Sequence, residues 1–142
     1  MNNKKVWIEG EVLAQKYLAK LGYKILDTNV NLAHAEVDIV ALCPKKVLIK
    51  DLLQEYKKGS FIKSSFLAAK KTIVDTLVFV EVKARTSTEF GLPQEAVTPL
   101  KQHKIRRCAE MYANKPQFEH MAIRYDIIAV LNDKLQHIKN AF

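Results

Sequence analysis

The segment Leu77–Arg85, Leu-Val-Phe-Val-Glu-Val-Lys-Ala-Arg, limits the possible folds more than any other part of the chain. Side chains two apart in a strand share a face. Val78, Val80, Val82 and Ala84 therefore form one side, and Leu77, Phe79, Glu81, Lys83 and Arg85 the other. After a loop at Phe90–Pro93, Pro99–Ala113 reads as a helix with Pro99 in its first turn. Leu100, Ile105, Cys108, Ala109 and Tyr112 face inward, while Lys101, Lys104, Arg106 and Arg107 lie on the other surface. Ala122–Leu131 follows as a strand and Leu135–Phe142 as a short last one. A strand–helix–strand crossover from Leu77 to Leu131 buries its helix against the sheet in the right-handed sense.

Upstream, Trp7–Leu21 has helical spacing in Ile8, Leu13, Ala14, Tyr17, Leu18 and Leu21, and Gly22 supplies the stop. Tyr23–Asn31 and Ala35–Leu42 read as strands. In the second, Val37, Ile39 and Ala41 are expected on one face, and Glu36, Asp38 and Val40 on the other. The predicted order is helix, three strands, helix, two strands. This is an α/β chain of one domain over residues 1–142, and its 49% apolar residues are enough for a core.

Pro44–Thr72 interrupts that rhythm. It holds eight lysines against Asp51 and Glu55, so +6 of the chain's net +8 lies in one insertion between two strands. Val47–Tyr56 has the pattern of a short helix and Gly59–Ser65 that of a loose loop. A strongly basic balance points to a polyanion, with nucleic acid ahead of an anionic surface. No apolar run approaches a membrane span, and Met1–Gly10 lacks a signal-peptide core, so a cytoplasmic protein without a membrane partner is expected. Cys43 and Cys108 have neither zinc nor redox spacing and read as buried free thiols. His34, His103, His120 and His137 are scattered and read as surface or packing residues rather than ligands.

Two pairs could carry chemistry: Glu36-Val-Asp38 and Glu81-Val-Lys83. Charges in mid-strand cost stability unless they are paired or bind something. Asp38 and Glu81 on neighbouring strands could ligate Mg2+, which is commonly held by one or two carboxylates plus waters and phosphate; Mn2+ is the substitute. Lys83 could orient the attacking water or offset charge on the phosphate. A salt-bridge ladder on an exposed sheet face is the alternative. Glu11 lies beside the apolar stripe of the first helix, as a further ligand or water-holding group, or as a first-turn acid on the helix dipole. Glu95 reads as a scaffold or a turn cap. Arg85, Lys101, Lys104 and Arg107, with Arg106, suit phosphate contacts. Arg124 and Asp126 share a strand face and read as a structural ion pair.

The runs Glu9–Ala14, Gly22–Leu26, Glu36–Val40, Phe79–Arg85, Phe90–Val97, Arg124–Ile128 and Gln136–Phe142, in that order, resemble the YraN family. This uncharacterised bacterial family (protein family 0102) is related to the PD-(D/E)xK restriction-endonuclease-like proteins and similar to Holliday junction resolvases. The resemblance implies a central mixed sheet flanked by helices, a restriction-endonuclease-like fold. It also implies a site filled by Glu11, Asp38, Glu81 and Lys83 with Glu36 beside them, and a nucleic-acid ligand, DNA ahead of RNA. A homodimer would suit paired-strand cutting. The chain departs from the family pattern at Ala35 (usually Gly), at Asn31 (usually Arg) and in the lysine-rich insertion, which replaces a short turn. Three functions follow as expectations: a Mg2+-dependent endonuclease acting on DNA, branched or otherwise structured, a nucleic-acid-binding module without turnover, and an interaction protein whose insertion docks an acidic partner.

Overall fold

The computed structural model describes residues 3–32, 34–87, 89 and 91–142. In chain order the elements are α1 (Asn3–Lys20), β1 (Lys24–Leu32), β2 (Ala35–Cys43), α2 (Lys45–Lys57), α3 (Lys63–Thr72), β3 (Thr76–Arg85), a 3-10 turn (Pro93–Ala96), α4 (Pro99–Ala113), a second 3-10 turn (Pro116–Phe118), β4 (Ala122–Leu131) and β5 (Lys134–Ile138). The five strands form one mixed sheet in the order β1-β2-β3-β4-β5. β3 is central, antiparallel to β2 and parallel to β4. The connection between the two parallel strands carries α4, as the sequence predicts. This is an α/β fold, a central sheet flanked by helices in the restriction-endonuclease-like arrangement.

Each face of the sheet carries its own core. Ala14 and Leu18 of α1 pack with Ile39, Ala41, Val78, Val80 and Val82. Ile105, Cys108, Ala109 and Tyr112 of α4 pack with Val37, Val40, Leu77 and Phe79. The alternation expected for β3 holds throughout, because a strand covered on both faces buries odd and even residues alike. Gly10 lets α1 come close: a Cβ there would stand 2.5 Å from the Ala84 Cβ. Thr98 caps α4 by accepting the Lys101 N–H at 3.3 Å, with Pro99 in the first turn. Both cysteines are free and buried.

Several expectations are corrected. Leu100 is 66% exposed, because it stands in the first turn of α4, before the helix lies on the sheet. Ile8 and Leu21, near the ends of α1, are likewise exposed. The face assignment in β2 fails at Asp38, since Val37 joins the α4 core while Ile39 joins the α1 core. The opposing strand shows the reason. Thr28 pairs with Ile39 and Val30 with Val37, which leaves Asn29 opposite Asp38, and Asn29 has a φ of 51°. One residue in the left-handed region turns β1 over at the level where the faces of β2 exchange, and Asn tolerates that region better than most residues.

The insertion is a helical hairpin rather than a helix followed by a loose loop. Phe66 of α3 stacks on Tyr56 of α2 at 4.6 Å, so an aromatic pair stands where the charge pattern suggested open chain. α2 docks on the body through Val47, a Lys139–Asp51 ion pair of 2.6 Å and a 2.7 Å bond from the Lys45 N–H to Asp75 Oδ1. The expected last strand ends at Ile138. Beyond it, Phe142 stacks on Tyr125 and the Ala141 N–H donates to the Tyr125 carbonyl. The expected loop at Phe90–Pro93 begins outside the described residues at Phe90; Pro93 opens the 3-10 turn. Among the described residues, no helix is long and apolar enough to cross a membrane.

Candidate active site

Pairing between β2 and β3 runs from Cys43↔Thr76 to Ile39↔Val80 and stops there. At that point Asp38 takes over from the ladder: its Oδ2 accepts the Val82 N–H at 2.7 Å. The two strands part beyond this bond, and acidic side chains converge on the opening. Glu81 comes from the α4 side of β3 and Glu11 from α1 on the other face. Asp38 is 4% exposed, Glu81 1% and Glu11 7%.

Three carboxylates taken out of water at one place oppose each other's ionisation. Burial, then the charge of Glu81, pushes the Asp38 carboxyl up to about 7, against the lowering effect of the Val82 bond. Burial also raises the Glu11 carboxyl, and the charges of Glu36 and Glu81 add to it. The Asn29 amide hydrogen-bonds Glu11 and works in the other direction. Glu11 Oε1 and Glu81 Oε2 are nevertheless buried without a hydrogen-bond partner. The other oxygen of Glu81, Oε1, lies 2.8 Å from Lys83 Nζ and 3.3 Å from Lys101 Nζ.

The remaining predicted residues fall around this centre. Glu36 is exposed, so it does not share the buried setting of Asp38; it reaches Glu11 through its charge, and its carbonyl accepts Lys101 Nζ at 3.4 Å. Arg85 is half-buried and donates to the Gly91 carbonyl at 3.1 Å. Glu95 accepts the Leu92 N–H at 2.7 Å and so holds the same loop in its turn. Lys104 and Arg107 are exposed on α4, apart from the carboxylates. Arg106 lies over the Tyr125 and Phe142 rings, which gives it a packing role. Glu11 is midway along α1 rather than in its first turn, because the helix begins at Asn3; the helix-dipole reading of this residue therefore falls away. Asn29 was missed by sequence reasoning, since an Asn inside a strand pattern carries no charge signal; its pairing opposite Asp38 is what singles it out.

Among the described residues, no group of three or more His, Cys, Asp or Glu side chains is arranged to hold a metal ion by itself. The donor set fits a hard cation held by two carboxylates, with water completing the shell. Asp38 and Glu81 are the residues that would supply those oxygens, and the unpartnered Glu81 Oε2 is the atom such an ion would satisfy.

The ion pair expected at Arg124 and Asp126 is present, at 2.7 Å, on the far side of β3 from β2. Asp126 is fully buried and also meets His137 Nε2 at 2.8 Å and the Asn140 N–H at 2.9 Å. His137 is therefore a packing residue, set edge-on against Tyr17.

The model of uncharacterised protein family UPF0102 matches residues 10–130. A UPF0102 protein of Caldanaerobacter subterraneus subsp. tengcongensis is 38% identical over 149 aligned residues, covering the whole of this chain and 98% of that relative. One from Syntrophomonas wolfei is 34% identical over 144 residues, 99% of each chain. A third, from Thermodesulfovibrio yellowstonii, is 35% identical over 134 residues, 94% of this chain and 92% of its own.

Proposed function

The chain belongs to the YraN family, uncharacterised protein family UPF0102, and on that footing we propose that it binds nucleic acid and hydrolyses phosphodiester bonds of DNA with a divalent metal, Mg2+ ahead of Mn2+. The observation that carries this reading is the convergence of Glu11, Asp38 and Glu81 from both faces of the sheet on the gap where β2 leaves β3, with two of their oxygens unpartnered. Asp38 and Glu81 would hold the ion, which when bound supplies a Lewis acid for the phosphoryl oxygen and a water of lowered pKa.

The rest falls to the chain's own groups. Lys83 keeps an ammonium 2.8 Å from Glu81, where it orients the attacking water and stabilises charge gathering on the phosphate. Glu11 holds that water from the α1 side. Lys101 braces Glu81 from the start of α4. Arg85, anchored at Gly91, with Lys104 and Arg107 on α4, meets the backbone of the nucleic acid.

A second reading, a nucleic-acid-binding module without turnover, draws on one observation: two lysines already neutralise Glu81 Oε1. The experiment that separates them is calorimetry with Mg2+ and Mn2+ on wild type and Asp38→Asn, followed by cleavage of linear, flapped and four-way junction DNA. The nuclease reading expects metal binding and cleavage in wild type and neither in the variant. Absence of both from wild type, with DNA still bound, would overturn it in favour of the second reading.

A further inference from the structure

Affinity for a polyanion is hard to derive from the candidate site. Its floor is three carboxylates, and its two nearest lysines are spent on Glu81. Of the chain's net charge of +8, +6 lies elsewhere, in the hairpin of α2 and α3. All eight lysines there are exposed. Only Lys58 has a carboxylate partner among the described residues, Glu55 at 2.8 Å.

Their spacing is regular. Val47, Leu48, Leu52 and Tyr56 turn α2 toward the body, which leaves Lys46, Lys50, Leu53 and Lys57 as one outward stripe. At about 1.5 Å of rise per residue this stripe is roughly 16 Å long. On α3, Phe66 turns inward to Tyr56, and Lys63, Lys70 and Lys71 stay in solvent. A membrane-surface helix needs a continuous apolar face. The α2 stripe offers only Leu53 between its lysines, and the other exposed apolar side chains, Phe61, Ile62 and Leu67, lie off that stripe, in the turn before α3 and on α3 itself.

We propose that the outward face of this hairpin is a second nucleic-acid contact, gripping the phosphodiester backbone away from the candidate active site. It rests on the nucleic-acid reading above. The hairpin leaves the sheet at Cys43 and returns at Thr76, four ladder positions from Ile39↔Val80, so the bound strand or duplex reaches about 13 Å or more beyond the carboxylates. Contact of this kind is independent of sequence and steeply dependent on salt, because each neutralised phosphate releases counterions.

The test is fluorescence anisotropy of a labelled DNA duplex about two helical turns long, with EDTA present so that nothing is cut. Wild type is compared with the triple variant Lys46→Gln, Lys50→Gln, Lys57→Gln. Gln is a good helix former, and circular dichroism checks that helicity is kept. If each lysine neutralises one phosphate, the slope of log K against log salt falls in magnitude by about 0.9 per lysine. Between about 50 and 200 mM salt the variant then loses roughly 40-fold less affinity than wild type. The corresponding Lys→Arg triple variant keeps the wild-type slope.

An unchanged slope in the Gln variant, with wild type binding DNA, would overturn the grip and leave the proposed function standing. The expected slope change in EDTA, with no cleavage by wild type in the separate Mg2+ and Mn2+ assay, would do the reverse. Binding to phosphatidylserine vesicles or polyglutamate in place of DNA would overturn both.

Discussion

Asp126 and Asp38 are aspartates of the same sheet, both nearly without solvent contact. Asp126 receives both Nε and Nη2 of Arg124, His137 Nε2 and the Asn140 N–H, all within 2.9 Å. Burial alone would raise its carboxyl, but the bonds from His137 and Arg124 more than offset this and hold it below the usual carboxylate range. Asp38 receives one backbone N–H and faces two more carboxylates, so its carboxyl goes the other way. A buried charge whose lone pairs are filled by its own fold needs nothing further. One that the fold leaves opposed by like charges is stable only at a cost, and strain of that kind concentrates where a protein binds something.

The comparison breaks most sharply at Asp126. Asp126→Asn leaves the Arg124 guanidinium buried and without its counter-charge, which costs about 3–5 kcal/mol. Urea unfolding at neutral pH measures it as a lower midpoint at unchanged slope. Without divalent metal, Asp38→Asn should do the opposite and stabilise the protein above pH 7. The sign follows from linkage: the folded protein holds the Asp38 proton up to about 7, against an ordinary value of 3.8, so wild-type stability falls as pH rises between those two values. Thermal melts across that window should slope downward in wild type and flatten in the variant. A variant that melts lower at pH 8 would show that Asp38 is as satisfied as Asp126. The smallest effect is expected from Gly10→Ala. The added Cβ meets the Ala84 Cβ at 2.5 Å and must shift α1 against β3, an overpacking cost of about 1–3 kcal/mol. Because Glu11 rides on that helix, the apparent pKa of Asp38, followed by carboxyl NMR, should fall while that of Asp126 stays fixed.

Much of this was legible in the residues. The alternation of Leu77–Arg85, the Pro99 start of the α4 helix and the spacing of Arg124 and Asp126 each reflect a local rule, and local rules survive folding when both faces of a strand are covered. Glu36 beside Asp38 was misread for an equally physical reason. The period of two assumes an unbroken strand, and the left-handed Asn29 on the neighbouring strand breaks it at the one position that matters. Leu100 and Ile8 were assigned to the core because spacing reports which side of a helix is apolar, not how far along its length the sheet extends. The second helix of the insertion was hidden by its lysines, since an aromatic contact that helps to seat it, Phe66 on Tyr56, joins residues ten apart.

The points where the hairpin departs and returns, Cys43 and Thr76, are ladder partners. Two residues so paired stand about 5 Å apart whatever is threaded between them. The segment is thus a cassette on a closed joint. Each doubling of a flexible loop there adds only about 0.6 kcal/mol of closure entropy. Its length and charge can change without re-threading a strand, while the carboxylates at the other end of the same two strands keep their positions. The part of the chain proposed to grip a polyanion is free to change, and the part that would do chemistry is not.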